Sequence, residues 1–342
     1  SEMCIRDSVW RAGDWLVKFP GTTRNLQGSV PSYTTAPVSE WLGSHVYAAL
    51  GIPVHETVLG IRDGRIVCAC RDFTFPDSRL VNFHDLKNSL SDDEPGFTED
   101  ASTGSGVVLA DVRSAIHRIP VLRSIDGVSD RFWDMFVVDA FIRNIDRNNT
   151  NWGVLRNPRG EFSLAPVYDN GNSFNNKRTD SGIERRLANP DLIRQDALDV
   201  RSCYVTDRGK PIAPLKYLAS GQDEECTKAL DRFMERYDPR SFHDLLGSIP
   251  SMSHGLTVVP DGFHEYHRRV CDYRYEHAFM AVSYTPLRLT LIFCSDVFRR
   301  SGNVTRPSRY QWSRNVERTT GPSKAYPEKS PEGSGLGEDD GQ

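Results

Sequence analysis

No stretch of the sequence is long and apolar enough to cross a membrane as a helix. The longest nearly apolar run, Leu287 to Cys294, is broken by Arg288 and Thr290 and falls far short of the roughly 20 residues required. An excess of one charge is also missing: 42 Lys and Arg stand against 46 Asp and Glu, a net charge of -4. That balance excludes an overall basic field able to coat nucleic acid or an anionic bilayer, and no direct nucleic-acid binding is expected. Cysteine is sparse, with seven scattered over 342 residues, an odd number, and no signal-peptide pattern opens the chain. Reduced thiols and a cytoplasmic setting are expected. Cys68-Ala69-Cys70 is one residue short of a metal-binding or redox CxxC; alternation along a strand points both sulfurs to one sheet face, as core residues.

What is present is a chain with 38% hydrophobic residues, enough for a sizeable core. Both ends read as foreign to it. Ser1 to Ser8 resembles translated adapter sequence, and Ser283 to Leu289 resembles its partner, so 1–8 is expected to be artefact and 283–342 artefact or disordered tail. The tail is crowded with Pro, Gly, Ser and charge and shows no period. Between the ends the chain divides into a small first lobe, 9–75, and a larger, mostly helical lobe, 76–282. The fold class is α+β with two lobes.

The first lobe reads as strand Trp15 to Phe19, helix Ser39 to Leu50, then strands Glu56 to Ile61 and Arg65 to Cys70 about an Arg62-Asp63-Gly64 turn. Ser39 is the expected helix cap and Gly51 the stop. Ser89 to Gly106 is polar and reads as a loop; Gly104-Ser105-Gly106 within it follows no apolar strand and reads as linker. In the second lobe, Asp130 is the expected cap of a helix to about Arg143 that carries Trp133, Phe136, Val137, Ala140 and Phe141 on a buried face. The sequence then turns polar from Asn144 to Asn151. Two short apolar segments follow, Trp152 to Leu155 and Phe162 to Val167, joined by the turn residues Asn157-Pro158-Arg159-Gly160 and running into Tyr168-Asp169-Asn170-Gly171. Late in the chain, His264, His267 and His277 read as a solvated helix face rather than as a metal site.

This order has a chemical reason. Phosphoryl transfer needs a carboxylate to take the incoming hydroxyl's proton and oxygen ligands to hold magnesium against the β- and γ-phosphates. Asp146 and Asn151, five apart, match a base and a magnesium ligand; the hairpin returns the chain so that Asp169 can stand beside Asn151 as a second ligand, with Gly171 freeing the turn. Lys18, inside the apolar strand Leu16 to Phe19, is poorly placed unless something anionic meets it. Nucleotide phosphate and Glu40, at the start of the next helix, are the expected partners.

Lys18-Phe19-Pro20, Ser39-Glu40-Trp41-Leu42-Gly43 leading to Leu50-Gly51-Ile52-Pro53-Val54, Asn144-Ile145-Asp146-Arg147 with Asn151, and Ala165-Pro166-Val167-Tyr168-Asp169 together resemble the HipA-type serine/threonine kinases of bacteria. The short first lobe resembles the CtkA-like branch, and the likeness runs from about Trp15 to Val282. It implies a two-lobed protein-kinase-like fold, ATP with Mg2+, and transfer to Ser or Thr of a protein substrate, often with autophosphorylation. By position it implies that Lys18 contacts phosphate, Asp146 is the base, Asn151 and Asp169 bind metal, and Cys70, Arg71, Asp72 and Phe73 form a hinge against adenine, mainly through backbone groups. Asn148 stands where the family has His, and only Val9 to Asp14 precede the lysine strand where a phosphate-covering loop belongs, so that loop is expected to be missing and this fragment can be inactive. Nothing in these residues supports a HipB-like antitoxin partner. Two other readings use the same residues: a nucleotide-binding pseudokinase, and a carboxylate-pair hydrolase built on Asp146 and Asp169, which leaves Lys18 and Asn151 without a task.

Overall fold

Strand β2, Asp14–Lys18, sends Trp15 and Val17 into the core of the first lobe and Leu16 and Lys18 to the other face, the period-two pattern of a pleated strand. In this computed structural model the described residues are 5–9, 14–22, 34–74, 76–91 and 106–283, with only the backbone of 5–9, 90, 91 and 283. All of them belong to one compact unit, Ser1–Ser295. The polar segment around Gly104 and the tail lie outside the described residues.

The first lobe is an antiparallel four-stranded sheet with one helix. β1, Ile5–Val9, which takes in the second half of the adapter-like segment, pairs with β2 and adds an edge strand where none was expected. Helix α1 spans Ala36–Ala49, and strands β3, Thr57–Arg62, and β4, Arg65–Arg71, form a hairpin; the sheet order is β1-β2-β4-β3. Asp63 and Gly64 both have positive φ, 51° and 69°, the two-residue turn that suits the right-handed twist of its strands. Helix α1 starts three residues before the expected Ser39, with Pro37 in its first turn. Ser39 is not the cap: its hydroxyl donates to Ser173 O at 3.0 Å, so a long-range partner displaced the local one. Val38, Leu42, Val46 and Tyr47 pack that helix inward, and Gly51 ends it at φ 70°.

The second lobe begins with β5, Arg79–Asn82, and helix α2, Phe83–Ser91. Strand β5 pairs with Gly153–Arg156, which pairs in turn with Phe162–Leu164, so the expected hairpin forms as part of a three-stranded sheet. The core is organised around the helix Val128–Ile142, whose second half is buried all round. Its start differs from expectation: Gly127, in the left-handed region, precedes it, and Asp130 lies in the first turn and pairs with Arg232 at 3.0 Å. Helices Glu224–Arg236 and Phe263–Arg274 close the lobe. The histidines correct the sequence reading in part. His277 is exposed, but His267 is 2% exposed, ringed by Phe174, Phe263 and Tyr266, and burial pushes its pKa down to about 3. His264 points inward to Ile249 O at 2.8 Å.

Backbone hydrogen bonds join the lobes, one of them from the Thr35 N–H to Asn176 O at 2.8 Å. Val54 bridges to Val167, the His55 N–H donates to Val167 O at 3.0 Å, and the Val167 N–H donates to Pro53 O at 2.9 Å. This fixes the segment entering Asp169 directly against the end of the α1 connection. Among the described residues, no helix is long and apolar enough to cross a membrane.

Candidate active site

Register brings Lys18 opposite Cys68 and Leu16 opposite Cys70, so the lysine and both thiols share one sheet face; the two sulfurs lie 3.9 Å apart, too far for a disulfide. Lys18 Nζ donates to Glu40 Oε2 at 2.8 Å and to Asp169 Oδ1 at 2.7 Å. Glu40 is completely buried, and its second oxygen lies 2.9 Å from His55 Nε2, a close polar contact without the alignment of a hydrogen bond. Burial alone would raise the Glu40 carboxyl, but the Lys18 ammonium and His55 hold its pKa well below the usual carboxylate range. Burial opposes the charge on Lys18 too, yet Glu40 and Asp169 keep its pKa above the ordinary lysine value. His55 was not singled out by the sequence; its only local signal is its position after Pro53-Val54.

The polar loop after the long helix is held by its own amides. Arg143 ends the helix in the left-handed region, and Asn144 Oδ1 accepts from the Asp146 N–H at 3.2 Å. Both carboxylate oxygens of Asp146 are oriented: Asn148 Nδ2 donates to one and Asn172 Nδ2 to the other, each at 2.9 Å. Asn148, at the family's histidine position, thus still serves the loop. Asn151 Nδ2 donates to Asp146 O at 2.7 Å, which commits the amide nitrogen inward, while Oδ1 accepts from the Thr150 hydroxyl at 3.3 Å and is the oxygen that could face a cation.

Arg147 joins this loop to the strand carrying Asp169. It is 1% exposed, donates from Nε to Asp139 Oδ2 at 2.8 Å and from Nη1 to Asn151 O at 3.0 Å, and also bonds Tyr168 O and Asn170 Oδ1. A buried guanidinium needs such full pairing, and Asp139, which also accepts from Tyr47 and Asn144, supplies the charge. Sequence reasoning missed this clasp. A carboxylate between Val138 and Ala140 on a buried helix face was the available signal.

Asp169 itself has φ 60°, a conformation that non-glycine residues adopt at a cost. Neighbours on both sides hold it. Asn170 Nδ2 donates to Ser44 Oγ at 3.0 Å, and a Cβ on Gly43 would lie 2.8 Å from Asn170 Cβ, so only glycine lets α1 approach this turn. Gly171 lies against Glu40: a Cβ there would meet Oε2 at 3.2 Å. Lys18 thus bonds Asp169, and from its chain neighbour Asn170 hydrogen bonds run on through Arg147 and Asn151 to Asp146.

The segment expected to form the hinge is less uniform. Cys70 is buried behind Lys18, its thiol pushed up in pKa by the Cys68 contact and by burial. Arg71 points outward to Glu56 at 3.1 Å. The N–H groups of Arg71 and Asp72 donate into the first lobe, to Glu56 O and Asp14 O, while the Phe73 ring packs on Tyr168 at 5.5 Å, beside Asp169. The donor set of Asn151 Oδ1 and the Asp169 carboxylate, oxygen only, fits a hard divalent cation. Glu40, His55 and Cys70 also converge, with ligand atoms within 4.8 Å of one another, but Glu40 is already engaged by Lys18 and the sulfur suits a softer ion.

Comparison with known proteins identifies the family. No family model matches the chain. It is 33% identical over 241 residues to the serine/threonine-protein kinase CtkA of Helicobacter pylori, spanning 70% of this chain and 71% of that relative. The crystal structure of the proinflammatory kinase CtkA from Helicobacter pylori superposes with a TM-score of 0.69 at 27% identity, over 82% of this chain and 94% of that one. More distant is HipA in a complex with HipB and operator DNA from Shewanella oneidensis, at 13% identity and a TM-score of 0.48, over 82% of this chain and 67% of that one. The chain belongs to the CtkA/HipA-like serine/threonine-protein kinases and has their kinase-like fold.

Proposed function

We propose that the kinase uses ATP with Mg2+ in the cleft between Lys18 and the Asp146–Asn151 loop, and that its substrates are protein serines and threonines, its own included. The observation that carries this reading is the Lys18 ammonium held 2.7 Å from Asp169 and 2.8 Å from the buried Glu40, a cation kept charged at the junction of the two lobes. In the proposed roles, Lys18 binds the α- and β-phosphates, and Glu40, backed by His55, keeps it aimed there. Asn151 Oδ1 and Asp169 hold the metal, whose contribution when bound is to neutralise charge on the β- and γ-phosphates. Asp146, its oxygens oriented by Asn148 and Asn172, accepts the hydroxyl proton as that oxygen bonds the γ-phosphorus and the bond to the β-phosphate oxygen breaks. Adenine sits against the Cys70–Phe73 segment. The Arg71 and Asp72 N–H groups are already used, so the adenine-facing donor of that segment is the Phe73 N–H. The lobes divide at about 75, and the buried free thiols suit a reducing cytoplasm.

Incubation with γ-labelled ATP and Mg2+ tests the reading. Covalent label on serine or threonine, of the chain itself or of added protein, is the expected result. Binding of nucleotide without label would make the protein a pseudokinase, and no ATP-dependent thermal shift would remove the nucleotide site altogether.

A further inference from the structure

Beside Asp146 opens a cavity of about 570 Å³ lined by Arg143, Ile145, Asn172, Lys177, Arg178 and Arg185, among others. It adjoins the reaction centre directly: Asn172 is the residue that donates to Asp146 Oδ2, and Ile145 precedes Asp146 in the chain. Its walls carry five cationic side chains, counting Arg186, and no carboxylate. Two of the five share a single carboxylate, since Arg178 and Arg186 both pair with Asp196, at 2.9 and 2.5 Å. Lys177 and Arg185 are exposed and have no carboxylate partner among the described residues, and Arg143 reaches only the carbonyl of Asp199, at 3.4 Å. Burial pushes the Arg143 pKa down and the neighbouring Arg178 cation acts in the same direction, opposed by Tyr266, Asp196 and Asp199. Arg143 also holds this position at φ 59°.

We propose that this cavity is a subsite for an anionic side chain of the protein substrate, a carboxylate or a phosphorylated residue, flanking the hydroxyl presented to Asp146. Guanidinium and ammonium groups converging on a concave surface match carboxylate or phosphate oxygens through charge-assisted hydrogen bonds. Ile145, 40% exposed, offers apolar contact to the residue beside the acceptor. A nucleic acid fits less well: the walls hold no aromatic ring on which a base would stack, and the chain's net charge is -4. The proposal rests on Asp146 being the base of the kinase site.

Two measurements on the full chain decide it. In the first, serine peptides differing at one position near the acceptor, with Glu, phosphoserine, Gln or Lys, are phosphorylated with ATP and Mg2+. The expected result is kcat/KM about tenfold higher for Glu or phosphoserine than for Gln, mostly through KM, as a charge-assisted pair is worth that much. Whichever anion leads identifies its source. The double variant K177Q/R185Q should lose this preference while keeping its rate on the Gln peptide. A preference that survives in the variant, or none in the wild type, overturns the proposal. In the second, fluorescence anisotropy follows binding of a labelled phosphoserine peptide without ATP, and K177Q/R185Q should bind about tenfold more weakly. Equal binding overturns the subsite. An oligothymidylate that binds more tightly than the peptide and loses that affinity in the variant gives the cavity to nucleic acid, again against the proposal. If no peptide or protein is ever labelled, the kinase-site assignment fails, and the binding measurement still judges the cavity by itself.

Discussion

Lys18 and Asp169, 151 positions apart in sequence, are joined by a 2.7 Å ion pair. One comes from the central strand of the small sheet and the other from the turn that follows the second lobe's hairpin, so this contact registers the two lobes against each other at the junction where the nucleotide is proposed to bind. Glu40 completes a triad in which one cation balances two carboxylates, one fully buried and one a third exposed.

Removing the lysine should therefore have two separable effects. Lys18→Met leaves Glu40 buried with only His55 beside it, and breaking such a pair costs about 3 kcal/mol. The double variant Lys18→Met with Glu40→Gln should recover much of that stability in urea titrations, yet remain inactive in the labelled-ATP assay. Recovery of both stability and transfer would show that the pair is structural.

Asp146 and Asp169 should fail differently. Asp146→Asn keeps the loop's amide contacts in reach and should lower kcat by about a hundredfold or more, with nucleotide affinity nearly unchanged. Asp169→Asn should also weaken nucleotide binding, and the loss should appear only when Mg2+ is present. Calorimetric titration of ATP with and without Mg2+ separates the cases; equal loss of folding in both variants would make the carboxylates structural.

Gly43→Ala offers a test of the close approach between α1 and the Asp169 turn. In an open helix this change stabilises by up to about 1 kcal/mol. Here the new Cβ would lie 2.8 Å from Asn170 Cβ, and overpacking of that kind costs about 1 to 3 kcal/mol. The expected variant unfolds at lower urea and transfers phosphate more slowly, because Asn170 carries both the Ser44 and the Arg147 contacts beside Asp169. A stabilised variant would mean that the turn gives way freely.

The four chemical side chains were legible because each interrupts a local pattern: Lys18 in an apolar strand, Asp146 and Asn151 in a polar loop after a buried helix, Asp169 at the end of a hairpin. The hairpin was legible in its turn residues, as was the Asp63-Gly64 connection. What the chain did not reveal depends on partners distant in sequence. Ser39 reads as a cap until Ser173 O, 134 positions on, takes its hydroxyl. Arg147 reads as one more polar loop residue, and only the packed structure shows it buried among Asp139, Asn151, Tyr168 and Asn170. That the N–H donors of Arg71 and Asp72, in the segment expected to form the hinge, are spent within the first lobe was likewise not visible in the sequence.

His267 gives the sharpest pH dependence. It is enclosed by Phe174, Phe263 and Tyr266, with Arg274, His264 and Arg178 as the charged or titratable groups acting on it, and burial followed by those groups lowers its pKa to about 3. In the unfolded chain it protonates near pH 6.5. Between those values the unfolded state binds a proton that the folded state refuses, so stability rises with pH through this window and falls on acidification. From pH 7.5 to 4.5 the group should cost the fold about 2 to 3 kcal/mol, at about 1.4 kcal/mol for each pH unit below 6.5. Carboxylates also titrate near the lower limit, so the informative quantity is a difference. His267→Met keeps the site filled with an apolar chain and removes the proton site, and its urea midpoint should fall less between the two pH values than that of the wild type. Parallel falls in the two proteins would mean that the imidazole is solvated in the native state or protonates there with an ordinary pKa.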